Sequence, residues 1–468
     1  MIRISSSLWR LFISLTIILG AFSCANDNDS DTGSIDYDEP ILFVPTAGQT
    51  ASIKLVLSNV DVLSVYSAPS GWTVTVDLDA KTVTAIAPSD FEGDNVQSGV
   101  AILVGLTPGG TGLVSYLDVA VANFTDITDR QANSMIITEG NTQYTFNPRI
   151  MGEQTTESLS TKYIELLWQT EDVPIGTVEL SDDGMAEFYV RADEDNDNKV
   201  MEGNAVIVAR NSSKQIIWSW HIWCVADMPD EVTLGGVTFM GCNLGAFCNT
   251  NVDGDDEEED EDDYETNHAE ILASYGLYYE WGRTVPFIGP FYYNSGSCSD
   301  ATIIDIDQEV VEITYKETSK SVGTLTYAER NPLTYIYAGE DGSDWLYTSD
   351  DSLWNTDQKS AYDPSPRGWR VPKMADFDGL EVLYNASSEY GTYITDGTTS
   401  HLFMAAGRRN YLTGELENID PISSKLTPWA GYYWTRDGGA WLFNAEQITD
   451  GSAVRRANGL QIRCVKDI

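Results

Sequence analysis

The chain has 468 residues, which at about 150 residues per domain predicts about three domains, and 42% of them are apolar, enough to build cores. Its 27 Lys and Arg residues against 72 Asp and Glu residues leave a formal net charge of −45. A charge of this size repels phosphate backbones, so it excludes nucleic acid as a partner.

The N-terminus has the pattern of a secretion signal. Arg3 and Arg10 precede a mostly apolar stretch at 11–22. About a dozen apolar residues are too few to span a bilayer but match the core of a signal peptide. We therefore predict that residues 1–23 are removed.

The residues around the predicted cleavage point suggest lipidation. Ala21-Phe22-Ser23-Cys24 resembles a bacterial lipobox, in which the cysteine becomes the lipidated first residue. The acidic residues that follow resemble the segment that routes lipoproteins of Bacteroidota to the cell exterior. The resemblance implies a surface-exposed outer-membrane lipoprotein, held to the membrane only by the lipid on Cys24, with 24–38 as an acidic tether. The alternative is a secreted protein in which Cys24 has no role.

Residues 39–124 read as a small β-sandwich. Short apolar or alternating segments are separated by Asp, Gly and Pro, which is typical of antiparallel strands and turns. The predicted strands are 41–45, 51–57, 72–78, 82–87, 100–106 and 113–121. The region resembles the immunoglobulin-like spacer modules of Bacteroidota surface proteins, which favours a spacer over the alternative, a carbohydrate-binding module.

Residues 125–230 predict a second β-sandwich. The continuous apolar run 205–209 indicates a strand buried on both faces. In the segment 216–223 the pattern alternates, with Trp218, Trp220 and Ile222 on one face and His221 on the other, where we expect a packed, hydrogen-bonded side chain and not a catalyst. The Trp-rich segment resembles one that precedes a C-terminal recognition domain in extracellular lipoproteins of Bacteroidota.

Two acidic stretches interrupt the chain. Asp193, Asp195 and Asp197 occupy the first three ligand positions of a calcium loop, but Asn198 replaces the usual Gly and Asn204 the usual Glu. This stretch therefore predicts either a calcium site or a solvated hairpin tip. Calcium is the one cofactor that the sequence suggests. The stretch 253–265 has 11 acidic residues in 13 and predicts a disordered surface insertion.

Five cysteines follow Cys24: Cys224, Cys242, Cys248, Cys298 and Cys464. An odd number in an oxidising compartment implies at least one free thiol or an intermolecular pair. The lack of a C-x-x-C spacing argues against zinc. Cys242 and Cys248 are close enough in sequence for a small loop disulfide, but the spacing does not decide the connectivity.

Residues 231–468 hold 18 of the 24 tyrosines and 7 of the 13 tryptophans, a concentration typical of binding surfaces or heavy aromatic packing. Several strings, in order, resemble the major paralogous domain of Fibrobacter (FISUMP). They are Asn243-Leu-Gly-Ala246, Tyr275-Gly-Leu-Tyr-Tyr-Glu-Trp-Gly-Arg283, Asn331-Pro-Leu-Thr334, Asp344-Trp-Leu346, Tyr362-Asp-Pro-Ser-Pro-Arg-Gly-Trp-Arg-Val-Pro372, Ala406-Gly-Arg408, Gly431-Tyr-Tyr-Trp434 and Ile462-Arg-Cys-Val465.

The resemblance implies a C-type-lectin-like fold, so the predicted fold class is mainly β: two immunoglobulin-like sandwiches followed by an α+β domain. The family usually has Cys where Ser365 stands, paired in many members with the equivalent of Cys464. The resemblance thus implies that this disulfide is missing here. From the residues themselves we predict a helix over 373–384 and strands at 432–435, 439–443 and 461–465.

The resemblance also implies that ligands bind at the terminal part of this fold. Aromatic rings stack on sugars or apolar partners, and Arg and Asn give directional hydrogen bonds. The candidate ligand-binding residues are Tyr432, Arg436, Trp441, Asn444, Arg455, Arg456 and Asn458. Of these, Arg436, Trp441, Arg455 and Arg456 are expected on the surface, because they fall between the family strings. Trp369 and Trp434 are expected in the core, and Glu280 with Arg283 as a buried pair.

These features favour a cell-surface lipoprotein that binds an extracellular glycan or surface protein without catalysis. The sequence contains no G-x-S-x-G, H-E-x-x-H or Gly-rich phosphate motif. The alternative is a fimbrial subunit or tip protein that acts in assembly. An enzyme related to the formylglycine-generating fold is a weaker alternative, because no matching cysteine pair marks a substrate groove.

Overall fold

The computed structural model describes residues 31–39, 41–44, 46–121, 123–172, 174–193, 199–247, 273–294, 297–339, 342–383, 391–417, 430–444, 447–451 and 454–467. Predictions on the signal peptide, Cys24, Asp195, Asp197, Cys248 and the stretch 253–265 fall outside these residues. Within them, no helix has the length and apolarity that a membrane crossing requires.

The first region is a β-sandwich of two four-stranded sheets. Its strands are β1 (Ser34–Tyr37), β2 (Ile41–Phe43), β3 (Thr50–Ser58), β4 (Val62–Ser67), β5 (Thr73–Asp77), β6 (Thr82–Ile86), β7 (Ser98–Leu106) and β8 (Gly112–Ala120). The sheets run β1-β3-β6-β5 and β2-β8-β7-β4. All six predicted strands are confirmed, and β1 and β4 were missed. Trp72, Val83, Leu103 and Leu117 lie in the core between the sheets.

The second region adds a short 3₁₀ turn and eight strands. They are β9 (Asn123–Asp126), β10 (Ser134–Ile137), β11 (Thr142–Phe146), β12 (Tyr163–Thr170), β13 (Ile175–Leu180), β14 (Ala186–Val190), β15 (Gly203–Arg210) and β16 (Ile216–Cys224). One sheet runs β13-β14-β11-β9. It packs against β15 and β16, whose Trp218, Trp220 and Ile222 face the core between the sheets as predicted.

His221 is the packed residue that the sequence predicts. Its ring is 1% exposed, and its two nitrogens lie 2.9 Å from Ser134 Oγ and 2.8 Å from Asn204 Oδ1. Because the Asn204 oxygen can only accept, Nε2 carries the proton and Nδ1 accepts from the serine hydroxyl. Burial lowers the pKa of His221 to about 3, so the ring stays neutral in the folded protein.

The C-terminal region is built from many short strands. They are β17 (Glu231–Leu234), β18 (Val237–Met240), β19 (Tyr279–Glu280), β20 (Pro290–Asn294), β21 (Ser297–Asp300), β22 (Ile303–Ile304), β23 (Val310–Val311), β24 (Thr314–Glu317), β25 (Thr334–Tyr337), β26 (Trp369–Arg370), β27 (Glu381–Val382), β28 (Gly391–Thr395), β29 (Ser400–Met404), β30 (Arg408–Arg409), β31 (Leu416–Glu417), β32 (Gly431–Trp434), β33 (Ala440–Phe443), β34 (Ile448–Gly451), β35 (Gly459–Leu460) and β36 (Val465–Lys466). A six-residue helix, α1 (Leu325–Arg330), begins at Thr324, whose side chain caps it.

Four small sheets organise most of these strands: β17-β18-β36-β26, β19-β35-β30-β31, β27-β28-β29 and β32-β33-β34. The start and the end of the region meet where Phe239 of β18 pairs with Val465 of β36. Trp434 and Trp369 are buried, as expected from their place in recurrent strings. Glu280 and Arg283 form the expected buried ion pair. Burial raises the pKa of the Glu280 carboxyl, and the Arg283 guanidinium opposes that rise.

The second and C-terminal regions share one sheet and one core. The sheet runs β10-β16-β15-β12-β22-β23, so two strands from beyond residue 300 extend a sheet of the second region. Val206 and Val208 of β15, together with Trp168 and Trp223, pack with C-terminal residues such as Trp281. The strand β15 is therefore buried on both faces, as its apolar run predicts. The predicted domain boundary at 230/231 thus lies between two parts of the sequence that share one hydrophobic core.

The first region also contacts the second. Arg191 forms an ion pair with Asp118 at 2.8 Å, and both side chains are largely buried. The ring of Tyr189 packs edge-on against Phe43, with centroids 6.0 Å apart. Strand β9 leaves the first sandwich and pairs directly with β11. The junction thus combines a buried ion pair, an aromatic contact and a short connection.

The predicted helix over 373–384 is wrong. The chain makes a single 3₁₀ turn at Met374–Phe377 and then the strand β27, while residue 384 lies outside the described part. Gly379, with φ of +78°, ends any helix there. Phe377 ends the 3₁₀ turn, and a separate tight turn, in which the Leu380 N–H donates to the Phe377 carbonyl at 3.2 Å, brings Leu380 beside it, so that both residues are buried.

The terminal strands agree with the sequence in part. Strands β32 and β33 match the predicted 432–435 and 439–443, and Gly438, with φ of +86°, makes the turn between them. The predicted strand 461–465 is wrong except at Val465, which begins β36, and β34 was missed. Residues 461–464 instead connect two sheets, because β35 pairs with β19 and β30, whereas β36 pairs with β18 and β26.

The structure places Ser365 and Cys464 against each other. The thiol of Cys464 donates to Ser365 Oγ across 3.4 Å, and both residues are fully buried. Cys464 and Cys224 form no disulfide, which agrees with the expectation of at least one free thiol. Burial raises the pKa of the Cys464 thiol to about 12, so it is protonated and unreactive at neutral pH.

We predict that Ser365→Cys forms a disulfide with Cys464. The two positions are 99 residues apart, so closing this loop should raise the free energy of unfolding by about 3 kcal/mol. Peptide mapping under non-reducing conditions detects the bond, and chemical denaturation measures the gain. Ser365→Ala is the control and should gain nothing. A Ser365→Cys variant that keeps both thiols reduced under oxidising conditions contradicts the prediction.

Candidate functional site

The terminal sheet β32-β33-β34 has one buried and one partly open face. Tyr433, Trp441 and Phe443 point into an aromatic core. On the opposite face, Tyr432 pairs across the strands with Leu442, and both are only half-buried. The sequence alternation that predicts strands therefore also separates core rings from available ones.

A cleft opens beside this face. It has a volume of about 290 Å³ and is lined by Arg408, Tyr411, Leu442, Gly451, Val454, Arg455 and Asn458. Three short elements supply the lining: β30 with the turn after it, the sheet β32-β33-β34, and the turn before β35. Two of the predicted residues, Arg455 and Asn458, lie in the cleft.

Two arginine–tyrosine stacks border the cleft. The guanidinium of Arg455 lies 4.0 Å from the ring centroid of Tyr411, and that of Arg408 lies 5.1 Å from the centroid of Tyr432. Stacking fixes the flat guanidinium while leaving its N–H groups in plane to donate. Arg408 is also paired with Glu417, whereas no carboxylate of the described residues forms an ion pair with Arg455. Arg455 is thus the less compensated of the two cations.

Asn458 holds the cleft together from below. Its side chain is 1% exposed, accepts from the Tyr411 N–H at 3.1 Å and donates to the Arg455 carbonyl at 2.8 Å. It therefore ties the two partners of one stack to each other. Asn458 is a positioning residue, and its amide is not available to a ligand as the sequence prediction assumed.

Two predicted surface residues are buried, so the expectation of exposure is wrong for them. Trp441 is 3% exposed and stacks on Phe377, with centroids 4.5 Å apart and rings 9° from parallel. Arg436 is 4% exposed, and its Nε has no hydrogen-bond partner among the described residues. Trp441 is inward because the strand alternation places it beside Tyr433, and the aromatic core then encloses its ring.

The remaining two predicted residues lie away from the cleft lining. The Arg456 guanidinium stacks on Trp281 at 3.9 Å and pairs with Asp351 at 2.6 Å, which gives it a structural role. Asn444 is half-buried and its Oδ1 accepts from the Gln447 N–H at 2.9 Å, which shapes the turn after β33. The structure therefore brings together Tyr432, Arg455 and Asn458 and separates them from Arg436, Trp441, Asn444 and Arg456.

Sequence reasoning missed five cleft residues: Arg408, Tyr411, Leu442, Gly451 and Val454. Arg408 ends one of the strings that carry the family resemblance, but no spacing in the sequence links 408–411 with 454–458. The fold brings the two segments together through the pairing of Arg409 with Gly459 and the contacts of Tyr411 with Arg455 and Asn458.

A second cavity, of about 450 Å³, was also missed. It is lined by Lys320, Gly323, Thr324, Leu325, Leu346, Tyr347, Thr348, Asp350 and Leu353. Tyr347 is 55% exposed, and the Lys320 ammonium lies 5.8 Å from its ring centroid. Leucines form the floor, so this cavity is the more apolar of the two.

Metal binding has little support among the described residues. They contain no group of three or more His, Cys, Asp or Glu side chains arranged to hold a metal ion. Of the three candidate calcium ligands, Asp193 is described and Asp195 and Asp197 lie outside the described part.

The chain matches no known family profile and no curated protein. Among solved structures it is similar to the D00–D0 domain of intimin, at 12% identity and a TM-score of 0.17, covering 41% of this chain and 96% of that one. It is also similar to the Bacteroides ovatus mixed-linkage glucan utilization locus protein SGBP-B, in complex with a mixed-linkage heptasaccharide, at 12% identity and a TM-score of 0.12, over 42% and 46% of the two chains. A third is the Yersinia pseudotuberculosis adhesin InvE, at 13% identity and a TM-score of 0.12, over 45% and 68%. The chain thus spans about half of the second protein, and likenesses at these values bear on neither ligand nor site.

Because Trp441 is buried and Arg455 is partly exposed, we predict that their substitutions affect stability differently. Trp441→Ala should lower the free energy of unfolding by about 3–5 kcal/mol, because it empties a stacked core position. Arg455→Ala should change it by less than about 1 kcal/mol, since only one exposed stack is lost. Chemical denaturation of both variants measures the difference. Equal stabilities would contradict the assignment of Trp441 to the core.

Proposed function

We propose that the protein is a non-catalytic recognition protein whose cleft at Arg455, Tyr411, Arg408 and Tyr432 binds an extracellular glycan. The observation that carries the proposal is the pair of arginine–tyrosine stacks beside an apolar patch of Leu442 and Val454. An ordered guanidinium donates two parallel hydrogen bonds, which suits vicinal hydroxyls or a carboxylate of a sugar. The half-buried Tyr432 ring and Leu442 supply an apolar surface for the sugar face.

The chemistry of the lining supports binding over catalysis. The described residues that line the cleft include no carboxylic acid, histidine or thiol. Glu280, whose pKa is raised by burial, is fully buried and hydrogen-bonded to the backbone N–H of Ile336, which points to a structural role. A general acid must reach its substrate, so this carboxyl does not meet the requirement.

Further parts of the proposal rest on the sequence resemblances. We place the protein on the outer face of a bacterial outer membrane, anchored through a lipid on Cys24. We assign the C-terminal region to a C-type-lectin-like fold of the FISUMP kind. The contact between Ser365 and Cys464 supports this assignment, because these are the two positions that the family joins by a disulfide. A protein ligand at the same cleft is the alternative.

The proposal predicts that the chain from Ala25 onward binds members of an array of neutral and acidic glycans. Arg455→Ala should weaken this binding at least about tenfold, because a stacked, hydrogen-bonding guanidinium is worth more than about 1.4 kcal/mol. Removing calcium should have no effect. Titration of the best array ligand by calorimetry measures the change.

Arg367→Ala is a matched control, because Arg367 is exposed but lies outside the cleft. Its affinity should equal that of the parent protein. If Arg455→Ala and Arg367→Ala bind equally well, the site is elsewhere. If the folded chain binds no glycan but captures a purified surface protein with the same Arg455 dependence, the protein alternative replaces the glycan.

A further inference from the structure

The two outer faces of the first β-sandwich differ in chemistry. On the sheet β1-β3-β6-β5 the outer face is mostly Ser and Thr, including a hydrogen bond of 2.7 Å between the Ser52 and Thr84 hydroxyls. On the sheet β2-β8-β7-β4, the outer positions of β4, β7 and β8 away from the contact with the second region are mostly Val, Ile, Leu and Tyr. They are Val62, Ser64, Tyr66, Val100, Ile102, Val104, Leu106, Gly112, Val114 and Tyr116. None of these ten residues is charged, in a chain of net charge −45.

This apolar face is open in the folded chain. Val62, Tyr66, Leu106, Val114 and Tyr116 are each 42–52% exposed. The run Val100–Val104 in β7 is continuously apolar, a pattern typical of a strand that is covered on both sides. Among the described residues, β7 is covered on one side only, by the core of the sandwich. The sequence of the strand thus fits an additional layer that this part of the chain does not provide.

The face continues an interface that already exists within the chain. Further along β8 on the same side, Asp118 pairs with Arg191 and Ala120 packs with Tyr189 of the second region. One end of the outer face is therefore already buried, against the second region of the same chain. At the open end, no described residue of the chain covers the same strands.

The open end has large and small side chains in separate rows. Across the strands, Tyr116 pairs with Ile102, and Tyr66 lies at the neighbouring β-bulge of β4. Four residues further along, Gly112 pairs with Leu106, which pairs with Val62. A Cβ added to Gly112 would meet nothing within 4 Å, so the space above it is open. The row of Tyr66, Ile102 and Tyr116 therefore protrudes, and the row of Val62, Leu106 and Gly112 has a depression above Gly112, called the Gly112 notch below.

We propose that this face binds a second copy of the chain. The two copies are related by a two-fold axis that lies in the interface and runs perpendicular to the strands. Each strand then lies over the same strand of the other copy, in the antiparallel direction. The Tyr116 ring of one copy then lies over the Gly112 notch of the other, Tyr66 lies over Val62, and Ile102 lies over Leu106. The middle row, with Val104, packs on itself. The lack of charge matters, because two chains of −45 repel wherever their charged surfaces approach.

The size of the face sets the strength of the contact. Three strands about 4.8 Å apart and five residues at about 3.4 Å each span roughly 14 by 17 Å. This is below the roughly 800 Å² per partner of a standard interface, so the dimer is weak and reversible. Salt strengthens it, because screening reduces the repulsion between the acidic chains.

Sedimentation velocity of the chain from Ala25 onward, over about 5–200 µM, tests the dimer in the range where weak association is populated. The parent protein should show a monomer–dimer equilibrium that strengthens from low to about 0.5 M salt. Val114→Thr with Tyr116→Thr should raise the dimer dissociation constant at least about tenfold. Gly112→Tyr should do the same, because it fills the notch that receives Tyr116 of the other copy.

The matched control is Val56→Thr with Ile86→Thr, which makes similar changes at exposed positions of the opposite sheet. Its dissociation constant should stay within about twofold of the parent value. Thermal unfolding of all variants checks that each remains folded. A parent protein that stays monomeric throughout overturns the proposal, as does a dimer that both sets of variants leave unchanged. Binding of the monomer to zwitterionic vesicles through the same residues would assign the face to a membrane and also overturn it.

Discussion

The arrangement of the C-terminal half depends on the core that it shares with the second β-region. Strand β12 pairs on one side with β15 and on the other with β22, so a sheet begun at residue 134 is completed by residues beyond 300. Val206, Val208 and Trp223 point from this sheet into the same apolar cluster as Trp281, Trp345 and Trp434. Because the short strands of the C-terminal region have few residues each, burying their apolar faces against a long, regular sheet supplies stability that they lack alone.

The shared core also explains how the cleft keeps its geometry. Strands β30 and β35 are two residues long and cannot form a rigid scaffold by themselves. Buried polar contacts hold their neighbours. The Tyr335 hydroxyl donates to the carbonyl of Ala457, just before β35, at 2.7 Å, and the Trp434 indole donates at 2.6 Å to the carbonyl of Tyr279 in β19, the strand that pairs with β35. Buried polar groups of this kind fix one arrangement, since an unpaired partner is costly. The arginine–tyrosine stacks stand on this ordered base.

The sequence predicted what local periodicity controls and missed what distant segments create. Six of the eight strands of the first sandwich, the doubly buried run 205–209 and the packed His221 follow from alternation and composition. The prediction of a helix over 373–384 failed because a three-residue spacing of apolar residues also arises across a tight turn, and Gly379 adopts a positive φ that a helix does not allow. The exposure of Trp441 was misjudged because a position between recurrent strings says nothing about which face of a strand it occupies. The cleft itself could not be predicted, because Tyr411 and Arg455 meet only through the fold.

The claim that the C-terminal region depends on its neighbour can be tested by dividing the chain. Residues 231–468 and residues 123–468 would be produced separately and compared by hydrogen-exchange mass spectrometry and chemical denaturation. The account predicts that the longer fragment unfolds cooperatively with strong protection of β19 and β35. The shorter fragment, which leaves the tryptophan cluster uncovered, should aggregate or exchange rapidly throughout. A shorter fragment that is as protected and as stable as the longer one would show that the shared core is not required.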